Sequence, residues 1–373
     1  MNYLVDADIA DKKVGLRVDL NVPIENGEIL NYERLSAALP TILYILERTK
    51  KLCILSHLGR PEEGSFNKNY SLKPIKDWFE KRLNVEIPLL KKFDEIPDSL
   101  CLMENIRFFE GEKDNDSGLS KTIASSFDIY VMDAFATAHR QSASTYGAIL
   151  ESQEACAGLL FSKEIQSLDS ALQSSENVIS IVGGSKVSTK LNVIQNLISK
   201  SSKVLVGGGI ANTFLKAAGY EVGLSLVEDE MIDISKELLD TNKIILPRNV
   251  YVAESTQANS AELVPVDGVS EDKMILDIEL SDELKIETSN NYIIWNGPLG
   301  IFEIEQFSTG TNQLVKFLES SSSKVIAGGG ETIYAISKFS DISKFYYVST
   351  AGGAFLEYLS GHKLPSIEAL RLK

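Results

Sequence analysis

The stretch IVGGSKVSTKL, residues 181–191, joins an apolar run to a glycine pair and then sets Lys186 and Lys190 four residues apart. An apolar run that turns on glycines into a helix-prone segment is the strand–turn–helix unit of a parallel α/β sheet. A glycine turn followed by lysine also suggests a phosphate cradle. The spacing is not that of a P-loop, in which lysine follows directly on the second of two widely spaced glycines, nor does it match G-x-G-x-x-G. The turn therefore poses the question of whose phosphate it holds.

Working outward, the same unit recurs along the chain. KVGLRVDL (13–20), KLCILSHLG (51–59), LCLMENI (100–106) and DIYVMDAF (128–135) read as strands in the first part. NVISIVGG (177–184), KVLVGGG (203–209), YIIWNGP (292–298), KVIAGGG (324–330) and FYYVSTAGG (345–353) do so in the second. Helices are expected over 31–48, 71–83, 187–199, 209–218, 228–240 and 309–320, with Pro40 a point for a kink or early break in the first. Apolar strands alternating with helices predict an α/β protein of two doubly wound parallel-sheet domains. Residues 60–70 and 110–118 read as exposed loops, and the helix-prone stretch 146–176 as the connection between the domains.

The bulk properties narrow the function. The 373 residues are 44% hydrophobic and 24% charged, the makeup of a globular protein with a sizeable core. A formal charge of −15 argues against nucleic acid or anionic lipid as partner, so any anionic substrate needs a local basic cluster. Cys53, Cys101 and Cys156 are isolated and odd in number, which fits a reduced cytoplasmic protein better than a disulfide scaffold or zinc site. The N-terminus carries acidic residues where a signal peptide needs a basic and then an apolar block, and no apolar run approaches about 18 residues. A soluble monomer is expected.

Ligands of open parallel sheets bind beyond the carboxyl ends of the strands, so the residues that follow each strand carry the functional reading. In the first half these are Arg17, Asp19 and Asn21, then His57 and Arg60, then Arg107, then His139 and Arg140. Guanidinium forks suit phosphate and carboxylate oxygens, and several converging on one rim would repel one another unless an anion joined them. Alternatively each pairs with a nearby acid, such as Asp19 or Glu104, or faces solvent. In the second half the positions carry glycines, at 183–184, 207–209, 297, 328–330 and 352–353. Any one of these is explained as a mere turn, but five on one sheet edge suit nucleotide phosphates, which the backbone can approach closely there. Lys186 and Lys190 are expected on one face of the helix after 183–184, as solvated lysines or as contacts to that phosphate. Two anionic substrates on separate domains point to phosphoryl transfer, which needs positioning, charge neutralisation and exclusion of water by domain closure.

RVDLNVP, SHLGRP, ENIRF, DAFATAHR, GGSKVSTK, GGGIANTF, WNGPLGIFE, GGGET and VSTAGGA, in this order between residues 17 and 354, resemble the signature segments of the phosphoglycerate kinase family. The resemblance implies a glycolytic transferase with two Rossmann-like domains on a helical hinge. A glycerate-binding domain would occupy 1–155, a hinge 156–175 and a nucleotide-binding domain 176–355, with the tail 356–373 packing back on the first domain. Such an enzyme interconverts 1,3-bisphosphoglycerate plus ADP with 3-phosphoglycerate plus ATP, using Mg²⁺. Asp19, Asn21, Arg34, His57, Arg60, Arg107 and Arg140 would bind the glycerate substrate. Lys186 would meet the transferring phosphoryl group and Lys190 the nucleotide phosphates. Gly208 and Gly209 would flank the adenine, with Asn296, Pro298 and Glu303 around ribose and phosphates. Gly328, Gly329, Gly330, Glu331 and Thr332 would complete the nucleotide site, and Glu331 would serve the metal. The acceptor is a carboxylate, ionised at neutral pH, so no general base is required; Arg34, Lys186, Gly330 and Gly353 are the expected catalytic groups.

Several positions depart from the family pattern. Glu331 stands in place of aspartate, where it would be the poorer N-cap. Ala351 and Ala136 replace glycines, and Ile275 and Glu279 stand where 274–282 carries two glycines in the family. Because these changes lie mainly on the nucleotide side, the alternative is a catalytically weakened relative that acts as a 3-phosphoglycerate-binding regulatory module.

Overall fold

The computed structural model describes residues 1–173, 177–280 and 292–373. The chain divides into two compact units, Met1–Gln166 with Lys363–Lys373, and Ser167–His362. The division falls inside helix Leu159–Leu172, within the segment 156–175 expected as the hinge, of which residues 174 and 175 lie outside the described residues.

In the first unit, strands β1 (Val14–Arg17), β4 (Leu52–Leu55), β5 (Leu89–Leu90), β6 (Cys101–Met103), β7 (Ile129–Met132) and β8 (Ala155–Ala157) form a sheet in the order β5-β6-β4-β1-β7-β8. Every pairing is parallel. The chain starts at the centre, winds out through β4 and β6, and returns to β7 on the other side of β1. The strand order thus reverses beside β1, the place where doubly wound sheets bind ligands. Strands β1, β4, β6 and β7 are buried along their full length, as continuous apolar runs covered on both faces require. A small hairpin pairs β2 (Ile24–Glu25) with β3 (Glu28–Ile29). Helix Glu33–Leu46 runs unbroken through the exposed Pro40, so neither a kink nor a break is needed to explain that residue.

In the second unit, β9 (Val178–Val182), β10 (Lys203–Val206), β11 (Ile244–Ile245), β15 (Tyr292–Asn296), β16 (Lys324–Gly328) and β17 (Tyr347–Ser349) order as β11-β10-β9-β15-β16-β17, again all parallel. Here the order reverses between β9 and β15. An antiparallel sheet of β12 (Asn249–Ala253), β13 (Glu262–Pro265) and β14 (Met274–Ile278) adds a wall that the sequence reading did not anticipate.

The C-terminal segment divides between the units. Helix Gly353–Leu359 stays with the second, burying Phe355 and Leu359 while Asn196 Nδ2 donates to Leu359 O at 2.7 Å. The chain turns at Gly361, whose φ of 78° favours glycine, and helix Pro365–Arg371 packs on the first unit. There Ser366 Oγ donates to Thr145 O at 2.6 Å. The return to the first unit therefore begins at Lys363 rather than at 356. The three cysteines are buried and free. Among the described residues no helix is long and apolar enough to cross a membrane.

Candidate functional site

The residues that follow β1, β4, β6 and β7 gather on one rim of the first sheet. Arg17 ends β1, is 1% exposed, and donates from Nε to Ser144 Oγ at 2.9 Å, with Nη2 3.3 Å from His57 Nδ1. Arg34, at the start of its helix, pairs with Asp19 at 2.8 Å and donates to Asn21 O at 3.0 Å. Asn21 Oδ1 in turn accepts from Gly59 N at 2.8 Å, which fixes the turn that carries Arg60. Arg107 donates to Gly59 O. Arg17, Arg60, Arg107 and Arg140 line one cavity of about 530 Å³ together with Glu112. Of the two acids considered as arginine partners, Asp19 takes Arg34. Glu104 instead accepts from Ser71 Oγ, Leu72 N and Asn105 N, securing the entry to helix Lys73–Leu83.

The electrostatics agree with a rim built for an anion. Burial, then Arg17 and Arg140, lower the Arg107 pKa to about 10. Burial likewise holds His57 well below the usual histidine range, with Arg17, Arg107, Arg34 and Arg140 all acting in the same direction. Positive neighbours that depress Arg107 and His57 in this way are relieved by a bound anion. His57 is neutral at pH 7 and serves as a hydrogen-bonding group rather than as a cation.

In the second unit the five glycine turns lie at the carboxyl ends of β9, β10, β15, β16 and β17. At the reversal point the backbones touch: a Cβ on Gly183 would sit 1.9 Å from Pro298 O, so only glycine fits there. Gly208, with φ 63°, opens helix Gly208–Ala217 beneath the same turn. Lys190 Nζ donates to Gly183 O at 2.6 Å and lies 3.5 Å from Asn296 O, which bridges the two central strands. Burial lowers its pKa to about 8, against the opposing pull of Glu331.

The helix expected over 187–199 begins only at Leu191, so Lys186 and Lys190 do not share a helix face. Residues 185–190 are held as a turn because Ser188 donates from N and Oγ to Glu228, at 2.9 and 2.5 Å. Lys186 is exposed on that turn. Asn296 Nδ2 donates to Gly328 O at 2.7 Å, and Thr332 Oγ1 accepts from Gly297 N at 2.8 Å, so both tie neighbouring turns together. Gly328 packs against the Phe355 ring. Glu331 is not the N-cap of helix Gly330–Phe339: Gly329 is, and Glu331 lies exposed in the first turn, where a carboxylate of either length faces the helix dipole.

A cavity of about 480 Å³ opens beside these turns, and Gly208, Gly209, Pro298, Glu303 and Glu331 line it, as read from the sequence. Much of its remaining wall is apolar, with Leu224, Leu226, Met274, Ile275 and Leu299. Ile275 is a β14 residue whose N–H donates to Ser225 Oγ at 2.7 Å, while Glu279 accepts from Asn249 Nδ2 at 2.8 Å; residues 281 and 282 of the departing segment lie outside the described residues. Asn212 and Asp277 also line the cavity and were not foreseen. Ala351 and Ala136 both have negative φ, the positive φ of the last loop falling on Gly352 at 55°, so neither alanine is strained. Among the described residues no group of three or more His, Cys, Asp or Glu is placed to hold a metal ion.

Comparison with known proteins agrees with this geometry. A family model described as phosphoglycerate kinase matches residues 4–362. A phosphoglycerate kinase of Francisella tularensis subsp. novicida is 45% identical over 99% of this chain and 98% of its own length. The structure of phosphoglycerate kinase from Coxiella burnetii superposes with a TM-score of 0.95 at 42% identity, covering 99% of this chain and 98% of that one. That of Pyrococcus horikoshii OT3 gives 0.81 at 27% identity, over 100% and 99%.

Proposed function

The chain belongs to the phosphoglycerate kinase family, and from that premise we propose which of its residues carry the reaction. The protein is a phosphotransferase with a carboxyl acceptor, interconverting 1,3-bisphosphoglycerate plus ADP with 3-phosphoglycerate plus ATP. The glycerate substrate is held in the first unit by Asp19, Asn21, Arg34, His57, Arg60, Arg107 and Arg140. The observation that carries this assignment is the convergence of Arg17, Arg60, Arg107 and Arg140 on one cavity, where burial, then Arg17 and Arg140, lower Arg107 despite the carboxylates of Glu112 and Asp19. The nucleotide occupies the second unit's cavity, its base toward the apolar wall and its phosphates toward the glycine turns, Lys190 and Glu331.

The attacking group is a carboxylate, ionised above about pH 4, so no residue has to remove a proton. A neutral His57 fits that chemistry. The residues instead stabilise charge on the transferring phosphoryl group: Lys186 and Arg34 as cations, and the turns ending at Gly330 and Gly353 through backbone N–H groups at helix starts. Mg²⁺ arrives with the nucleotide as part of that substrate. One exposed carboxylate, Glu331, suits an ion that takes most of its ligands from phosphate and water, and the ion supplies neutralisation of phosphate charge. Unstrained alanines at 136 and 351 lend no support to a weakened relative.

The test follows turnover of 3-phosphoglycerate and Mg-ATP through a coupled reductase, in the parent and in Arg107→Ala. A raised KM for 3-phosphoglycerate, with Mg-ATP binding intact, supports the division of labour. Equal loss for both substrates refutes it.

A further inference from the structure

On the reading that the second unit's cavity takes the nucleotide, we propose that Asn212 recognises the purine base, its side-chain amide hydrogen-bonding the substituent at C6. Asn212 stands on helix Gly208–Ala217 four residues after Gly208, hence one turn along on the same face. It lines the cavity, is 2% exposed, and its Oδ1 has no hydrogen-bond partner. Its buried neighbours on the helix are the apolar Ile210, Ala211, Phe214 and Leu215, and Thr213, whose hydroxyl is already engaged with Gly209 O and Glu228 N. A buried amide without a partner is costly in such surroundings, and a leucine would fill the same space without that cost. The polar group is accounted for when a ligand brings the partner.

A second oxygen at the cavity lacks a partner, Oδ1 of Asp277. Its carboxylate is committed elsewhere, since Oδ2 accepts from Gly310 N at 2.7 Å at the start of helix Thr309–Ser320. Oδ1 itself is wedged between two glycines: a Cβ on Gly300 or Gly310 would meet it at 2.3 or 2.8 Å. Of the two buried cavity oxygens without a partner, that of Asn212 is therefore the one left to read the base.

Purines differ at C6. Adenine presents an amine, hypoxanthine a carbonyl, and the unsubstituted ring neither. An amide that no neighbour holds can turn its oxygen toward an amine or its NH₂ toward a carbonyl. Asn212 thus accepts both substituted bases and penalises the unsubstituted one.

Calorimetric titration with the Mg²⁺ complexes of ATP, ITP and purine riboside triphosphate tests this on the whole chain. The parent should bind ATP and ITP about five- to tenfold tighter than the unsubstituted analogue, the value of one hydrogen bond. In Asn212→Leu the three should converge to within about twofold. Asn212→Asp, an acceptor only, should keep ATP and lose ITP. No preference in the parent, or a preference that survives in Asn212→Leu, overturns the proposal. An Ile275→Trp variant, whose indole intrudes from the cavity wall into the space the base would take, separates the two levels of inference. If it binds ATP like the parent, the cavity is not the nucleotide site. If it blocks ATP while Asn212→Leu keeps the preference, only the role of Asn212 falls.

Discussion

Titrating the enzyme on its alkaline side tests the role of Lys190. Its ammonium sits between the two central strands of the second sheet, bonded to Gly183 O at 2.6 Å, and burial lowers its pKa to about 8. The charge needed to meet nucleotide phosphates is therefore lost over an accessible range. A group of pKa about 8 is roughly nine-tenths protonated at about pH 7 and one-tenth at about pH 9. Since kcat/KM reports groups of the free enzyme, kcat/KM for Mg-ATP should fall about tenfold across that interval. Bound phosphates favour the charged amine, so the limb in kcat should lie at higher pH. The assay is initial rate against Mg-ATP at saturating 3-phosphoglycerate, which keeps Arg107, lowered to about 10, from entering the profile. Lys190→Arg is the control: its guanidinium stays charged across this interval, so the limb should vanish even though the different shape lowers the rate. A profile flat to about pH 9.5, or an unchanged limb in Lys190→Arg, would refute the reasoning.

Three further outcomes are expected. Arg107→Ala should raise KM for 3-phosphoglycerate on the order of 10- to 100-fold, the worth of a lost charge-assisted contact, while calorimetry finds Mg-ATP affinity unchanged. Glu331→Asp should move KM for Mg-ATP less than about threefold, because the exposed carboxylate stays in the first turn of its helix; Glu331→Gln should raise it about tenfold, the effect of losing about 1.4 kcal/mol of charge interaction. Ala351→Gly should gain no turnover and should lower stability in denaturant by about 0.5–1 kcal/mol, since Ala351 is not at positive φ and glycine would only widen the freedom of the unfolded chain.

The parallel strands were legible because each is a continuous apolar run that ends in glycine or in a charged residue, a pattern that survives without any knowledge of neighbours. Leu89–Leu90 and Ile244–Ile245 were not, since two residues have no periodicity to detect, nor was Ala155–Ala157, a short run of small residues inside the stretch 146–176 read as helix-prone. In the antiparallel sheet, Glu262–Pro265 escaped for a different reason: it is mostly exposed and ends in proline, so nothing in its composition marks a strand, whereas Asn249–Ala253 and Met274–Ile278 are largely buried runs that the sequence reading passed over. The misplaced start of the helix after Gly184 is a long-range effect. Local spacing favours helix over 187–190, but Ser188 bonds to Glu228, forty residues away. The same limit applies to the sites. Arg17, Arg60, Arg107 and Arg140 follow from strand ends alone, and Arg34, at a helix start, only from the family resemblance, whereas the cavity wall is assembled from residues near 212, 224 and 275, which are remote in sequence and acquire meaning only when folded together.

On the proposed assignment, the opposite chemistry of two such similar sheets follows from what each ligand brings. A nucleotide polyphosphate comes with its own divalent cation, so its charge is already largely met. What it lacks is a set of short, fixed donors, which glycine turns supply by letting the backbone N–H groups of helix starts come close. A single lysine pair and one carboxylate then suffice, and the protein's net charge of −15 does not oppose binding of a neutralised complex. The glycerate substrate brings no metal. Its phosphate and carboxylate must find cations in the protein itself, and at long range the overall field works against them. Hence the guanidiniums are crowded on one rim, where burial and then Arg17 and Arg140 depress Arg107, with Arg34 anchored on Asp19 and Arg17 on Ser144 to hold them aimed in the absence of substrate. The argument predicts a difference in salt dependence: added salt should weaken 3-phosphoglycerate binding more steeply than Mg-ATP binding, as titrations of each substrate over a salt series would measure. Equal slopes would mean that the two sites handle charge alike, and the division drawn here between side-chain and backbone recognition would fail.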